Sequence, residues 1–160
     1  MLKLIGICIL LFTSILISRE LVAARRHRLE VCEELLRFVC FLRVQIGCFL
    51  RPTADVVVNF SSDSLAACGF PSRGGALDPC RDFASSDVPR IVGKECSRII
   101  ESLLSSLGSG YLEDEMGLID AHRAELSALV EGERAEAARQ VRLIRTLTAS
   151  ATLGLVILII

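Results

Sequence analysis

The sequence predicts an all-α protein, a helical bundle whose first and last helices continue into N- and C-terminal membrane segments. Three observations predict this class. Apolar residues recur at helical spacing over most of the chain. An uncharged apolar run stands at each end, and arginines border both runs. The chain has 160 residues, of which 52% are hydrophobic, so we expect one domain with membrane anchors.

The first element is an N-terminal transmembrane segment over residues 1–18. It is uncharged over residues 4–18, and Arg19 and the basic cluster at residues 25–28 follow it. A cleaved signal peptide is the alternative, because residues 22–24 are small enough to precede a cleavage site. Since translocation of the basic cluster is unfavourable, we expect the segment to be retained and the cluster to stay in the cytoplasm.

The C-terminal transmembrane segment is predicted over residues 146–160, which carry no charge. Four arginines precede it: Arg134, Arg139, Arg142 and Arg145. A helix of this length reaches ~22 Å, whereas the hydrocarbon core is ~30 Å thick, so the bilayer must thin or Arg145 must snorkel. A buried core helix is the alternative. Because arginines border both segments, both termini are expected outside the cytoplasm.

Residues 19–145 form the predicted cytoplasmic helical bundle. From Leu29, apolar residues alternate spacings of three and four, which predicts an amphipathic helix continuous with the first membrane segment. Its predicted core positions are Cys32, Leu35, Val39, Leu42, Ile46 and Phe49, and Leu36, Phe38, Cys40 and Phe41 widen the apolar face. Pro52 ends this helix and suits the first turn of the next, predicted over residues 53–60.

The region 61–87 is rich in serine, glycine and proline, which predicts loops with one short helix near residues 81–85. We expect this region to be a mobile connection, with a contact surface as the alternative. Helical spacing returns after Pro89. It continues to Leu107, where Gly108 supplies a left-handed helix end.

The final helix is predicted to run from Leu112 to the last residue without a break. Its predicted apolar stripe comprises Leu112, Met116, Ile119, Leu126, Leu129 and Val130. The first turns are acidic, and carboxylates there complement the positive end of the helix dipole. Over residues 131–136 charges surround the helix, which predicts a solvated neck.

The sequence offers no catalytic, cofactor-binding or metal site, so we expect no enzyme. The seven cysteines form no C-x-x-C pair. Cys8 lies in the N-terminal membrane segment, and the other six, in a cytoplasmic domain, are expected to be unpaired core residues. The two histidines, His27 and His122, lie apart from any zinc-finger spacing. Gly93 and Lys94 resemble the end of a phosphate-binding loop, but Glu95 replaces the required serine or threonine.

The composition also excludes classes of partner. The formal net charge is -1, whereas nucleic-acid binding needs a clustered basic surface. There is no tryptophan and a single tyrosine, so stacking platforms for single strands are missing as well. No nucleic acid and no small-molecule substrate are expected.

Several stretches resemble a known family. They are the opening residues 1–6, the arginine-rich flank, the Leu107-Gly108 step before the final helix, the neck rich in Glu, Arg and Ala, and the closing residues 153–160. In this order they are similar to the stage III sporulation protein AB (SpoIIIAB) family. The first helix and its turn at Pro52 also resemble that family.

The resemblance implies a non-enzymatic membrane component of the mother cell-forespore sporulation channel complex in an endospore-forming bacterium. It would lie in the mother-cell membrane facing the forespore, with its central domain cytoplasmic and both termini extracytoplasmic. The soluble part of the family is similar to the cytoplasmic domains of type II secretion and type IV pilus platform proteins. By that similarity the chain couples a cytoplasmic ATPase, SpoIIIAA, to the membrane assembly with the other SpoIIIA channel components.

The predicted partner-binding residues are exposed charges on the last two helices. We expect the acidic turn to meet a basic surface of the ATPase, with a second candidate surface on the preceding helix. The acidic turn comprises Glu113, Asp114, Glu115 and Asp120, and the second surface comprises Arg98 and Glu101. A capped helix start without a partner is the alternative. At the level of the whole chain, the alternative is a secreted or periplasmic helical protein with a cleaved N-terminal signal segment and paired cysteines.

Overall fold

The computed structural model describes residues 2–49, 53–71, 78–108 and 111–159. Within the helices it describes the side chains except at residues 2–11, 14, 17, 53, 54, 58, 145, 148, 149, 152, 153 and 155–159. The described residues form seven helices and no strand, so the all-α class is confirmed. The helices are α1 (Leu2–Phe49), α2 (Thr53–Asn59), α3 (Asp63–Ala67), α4 (Pro79–Ser85), α5 (Val88–Val92), α6 (Lys94–Ser106) and α7 (Leu112–Ile159).

The chain divides into two compact units. The bundle unit comprises Arg28–Gly132, and the terminal unit comprises Met1–His27 together with Glu133–Ile160. Helices α1 and α7 contribute residues to both units, whereas α2 to α6 belong to the bundle unit alone.

Helix α1 supplies one side of the bundle core. Five of its six predicted core positions are buried: Cys32, Leu35, Val39, Leu42 and Ile46. Phe38 is buried as well, in agreement with the widened apolar face. The prediction is wrong for Phe49, which is 61% exposed at the last residue of the helix. Helical spacing identifies which face is apolar, but it does not show where along the helix the covering elements stop.

The region 61–87 is packed into the core where the structure describes it, so the expectation of a mobile connection is wrong there. Leu65, Phe70 and Phe83 are all buried. The described part of the region holds two short helices, α3 and α4, whereas one was predicted near residues 81–85, and each follows an N-cap residue. Ser62 accepts a hydrogen bond from the Leu65 amide at α3, and Asp78 caps α4 in the same way.

An aromatic cluster connects this region to α1. Phe38 lies between Phe60 and Phe70, with ring centroids 5.1 Å and 5.4 Å away, and both pairs are edge-to-face. Phe70 also meets Phe83 edge-to-face at 5.5 Å, while Phe41 lies 5.4 Å from Phe60. Such pairs add about 0.5–1.5 kcal/mol each beyond the buried area, so the cluster fixes the loop-rich region on α1.

The helical stretch after Pro89 is interrupted, which the sequence did not predict. Gly93 adopts φ +86° between α5 and α6, a backbone conformation that residues with a side chain rarely adopt. The apolar residues around the break are still buried: Val88, Val92, Cys96, Ile99, Ile100, Leu103 and Leu104. The predicted end of the stretch is confirmed, because α6 stops at Ser106 and Gly108 has φ +84°.

Helix α7 begins at Leu112 as predicted and runs to Ile159. Of its predicted stripe, Ile119, Leu126 and Val130 are buried, and Met116 and Leu129 are half-buried. Leu112 is exposed, so its assignment to the core is wrong. Residues 131–136 contain no buried side chain, as predicted for a neck with charge on all sides.

Within the parts of the chain that the structure describes, no helix carries an apolar stretch long enough to qualify as a membrane span. The predicted membrane segments, residues 1–18 and 146–160, fall mostly on side chains that lie outside the described residues. Both segments therefore stay predictions.

Candidate partner-binding surface

The candidate surface lies at the end of the bundle unit where α1 stops and α7 starts. The two helices approach closely there, because a Cβ atom placed on Gly47 would lie 2.7 Å from the Cε atom of Met116. One turn earlier on α1, Arg43 contacts Asp120, which is one turn later on α7. The two contacts show that the helices are antiparallel. Phe49, two residues beyond Gly47, therefore lies level with the first turn of α7.

A bidentate ion pair holds the two helices in this register. Arg43 donates from Nε to Asp120 Oδ1 at 2.5 Å and from its second guanidinium nitrogen to Oδ2 at 3.0 Å. The hydrogen bond from Arg43 lowers the pKa of Asp120, and its positive charge and that of Arg123 act in the same direction. The same hydrogen bond raises the pKa of Arg43. The Asp120 carboxylate is thus already occupied within the chain.

Glu115 has a local role as well. Its Oε1 accepts a hydrogen bond of 2.6 Å from the backbone amide of Gly108, and its side chain is half-buried. The contact ties the start of the α6–α7 connection, two residues after α6 ends, to the first turns of α7. A partner that bound Glu115 would compete with this amide.

Glu113 and Asp114 remain as the exposed acids of the predicted set. Beside them, Tyr111 is 85% exposed and Leu112 is exposed too. We call the five residues Phe49, Tyr111, Leu112, Glu113 and Asp114 the end patch. It combines large apolar side chains with two carboxylates, so it suits a partner that presents apolar residues beside cations. The periodicity did not identify the apolar half, because it assigned Phe49 and Leu112 to the core.

The second predicted surface lies elsewhere on the bundle unit. Arg98 donates to Glu125 across α6 and α7 at 3.1 Å, and both side chains are more than half exposed. Glu101 is half-buried. Glu125 follows the exposed acids Glu113 and Asp114 by more than ten residues, which is more than about 15 Å along the helix. The structure therefore does not bring the two predicted surfaces together into one site.

Three side chains of the bundle unit that could take part in chemistry lie in environments that the structure describes. His122 places Nδ1 2.9 Å from the Leu118 carbonyl oxygen and Nε2 3.3 Å from Ser102 Oγ. Burial raises the pKa of the Cys68 and Cys80 thiols, which disfavours the reactive thiolate. In the described ranges, no three His, Cys, Asp or Glu side chains are grouped to hold a metal ion.

No family model, curated protein or solved structure matches this chain. The resemblance to the stage III sporulation protein AB family stays a prediction. The function is proposed from that resemblance and from the surfaces described above.

Proposed function

We propose that this chain is a non-enzymatic membrane component of a mother cell-forespore sporulation channel. It acts as a secretion-platform-like scaffold in the mother-cell membrane facing the forespore. Its bundle unit lies in the cytoplasm and couples a cytoplasmic ATPase to the membrane assembly. One observation supports this proposal most: in the terminal unit, both chain ends expose large apolar side chains next to exposed arginines.

Large apolar side chains of the terminal unit are exposed on both of its helical segments. On α1 they include Phe12, Ile15 and Leu16, and on α7 they include Leu143 and Leu147, which is 67% exposed. Large exposed apolar patches mark contact with a membrane or another protein. A bilayer would cover these side chains at both chain ends.

The positions of the arginines indicate on which side of the membrane the bundle unit lies. Exposed arginines of the terminal unit are Arg19, Arg25, Arg26, Arg134, Arg139 and Arg142. Positive charge next to a membrane segment favours the cytoplasmic side. Both sets flank the bundle unit in sequence, which favours a cytoplasmic bundle with both termini across the membrane.

The end patch is the surface that we assign to the ATPase, SpoIIIAA. Asp120 and Glu115 are engaged within the chain, so Glu113 and Asp114 carry the charge that a basic partner would meet. Tyr111, which is 85% exposed, adds the most exposed of the large side chains beside them. The other SpoIIIA channel components would assemble with the membrane segments.

Cysteine labelling in cells tests the side of the membrane. Cys48 is an exposed free thiol on the last turn of α1. We expect a membrane-impermeant maleimide to modify it only after the membrane is opened. The Cys48→Ser variant, labelled in parallel, identifies the signal that belongs to this thiol. Modification in intact cells would overturn the cytoplasmic assignment and favour the secreted or periplasmic alternative.

Charge reversal tests the end patch. The double variant Glu113→Lys with Asp114→Lys is expected to reduce recovery of the ATPase in pull-downs and to lower spore yield. The control reverses two other exposed acids, Glu95 and Glu131, of which Glu95 also stands in a first helical turn. If both double variants recover the ATPase as well as the unmodified chain does, the end patch is not the contact.

A further inference from the structure

The terminal unit contains a groove that the proposed scaffold function does not use. Two neighbouring cavities of ≈ 140 and ≈ 370 Å³ lie between its α1 and α7 segments. Val22, Arg26, Val141 and Ile144 line both cavities. Arg25 lines the smaller and Arg19 the larger, and we call these six residues the terminal groove.

The groove has an apolar wall and a cationic rim. Its described lining contains three arginines and no acidic residue. Arg25 forms a long ion pair of 3.9 Å with Glu136, and both side chains are about half exposed. Arg19 and Arg26 are exposed as well. The groove is therefore complementary to a molecule with an anionic head and an apolar body.

We propose that the terminal groove binds one anionic phospholipid. The phosphate accepts hydrogen bonds from the guanidinium groups of Arg19 and Arg26, which suit phosphate oxygens in a bidentate arrangement. The first part of an acyl chain packs against Val22, Val141 and Ile144. This inference rests on the proposed membrane location of the terminal unit, which places the groove where lipid is present at high concentration.

The apolar wall of the groove favours a lipid over a soluble anion as the ligand. Free phosphate would contact only the arginines and would leave three aliphatic side chains in contact with water. A lipid covers these side chains and neutralises the rim in the same event. The larger cavity, at ≈ 370 Å³, lies at the lower end of the volume range typical of ligand pockets.

The test measures lipid retained by the purified full-length chain in nonionic detergent, by native mass spectrometry with phosphatidylglycerol or phosphatidylcholine added. We expect retention of phosphatidylglycerol alone. Each arginine near anionic lipid contributes about fivefold in affinity, so Arg19→Gln with Arg26→Gln is expected to weaken retention by about 25-fold. The control, Arg139→Gln with Arg142→Gln, removes the same charge outside the groove and is expected to change retention less than about fivefold.

A third variant tests the contribution of the groove's shape independently of its charge. Val22→Trp fills the groove without altering the arginines, and we expect it to abolish retention while the helical content measured by circular dichroism stays unchanged. Equal weakening by the two arginine pairs, equal retention of the two lipids, or full retention by Val22→Trp would each overturn the inference. Vesicle flotation distinguishes a failure of the groove proposal from a failure of the proposed membrane location. A chain that inserts into both kinds of vesicle but retains no lipid selectively refutes the groove alone, whereas one that inserts into neither refutes the membrane location as well.

Discussion

Replacement of Phe70 by alanine should destabilise the bundle unit far more than the same change at Phe49. Phe70 is fully buried and makes edge-to-face contacts with both Phe38 and Phe83. A buried Phe→Ala change costs about 3–5 kcal/mol, and the two lost aromatic contacts place Phe70 in the upper half of that range. Phe49 is 61% exposed, so its loss should cost no more than about 0.5 kcal/mol.

Urea unfolding of the full-length chain in nonionic detergent, followed by helical circular dichroism, measures the difference. At a slope of about 2 kcal/mol/M, a loss of about 4 kcal/mol lowers the urea midpoint by about 2 M, against about 0.25 M for Phe49→Ala. The milder variant Phe70→Leu serves as a second test if the alanine variant does not fold. It keeps an apolar side chain at this position, so its urea midpoint should lie between those of Phe70→Ala and Phe49→Ala. Equal midpoints for Phe70→Ala and Phe49→Ala would refute the packing of residues 61–71 against α1.

Two further predictions concern the same unit. Because Arg43 lowers the pKa of Asp120, the wild type should be more stable than Asp120→Asn at neutral pH. This difference in stability should shrink as the pH falls below about 4, where the carboxylate becomes protonated. Thermal melts that give the same difference at pH 7 and pH 3 would contradict this. Gly93→Ala should lower the urea midpoint, since φ +86° with ψ 171° costs a residue with a side chain about 1–3 kcal/mol. Gly132→Ala, in a helix with nothing within 4 Å of the new methyl group, should raise it by the equivalent of about 0.5–1 kcal/mol, so shifts of the same sign would contradict the backbone assignment.

The long amphipathic helices were predictable because many residues repeat one period. On α1, five of the six proposed core positions are buried, and α7 begins at the proposed residue. The region 61–87 was not predictable in the same way. Phe70 stands between Gly69 and Pro71, and Phe83 lies in a helix of only seven residues. Neither belongs to a repeated apolar period that would distinguish a packed aromatic side chain from an exposed one.

The candidate surface was predicted only in part, for a similar reason. The acids of the α7 start are visible in the sequence, but the partner of Asp120 is Arg43, 77 residues away. Pairing over such a separation depends on the antiparallel register of α1 and α7, which no local pattern specifies. The exposure of Phe49 also depends on where other elements end, so the apolar half of the end patch required the structure.

The central claim is that both chain ends hold the bundle unit at a membrane. Fractionation of cells that express the full-length chain tests it most directly, with an alkaline carbonate wash followed by detergent extraction. The chain is expected to stay with the membrane pellet through the wash and to enter the supernatant only with detergent. Recovery of the chain in the soluble fraction without detergent would contradict the claim.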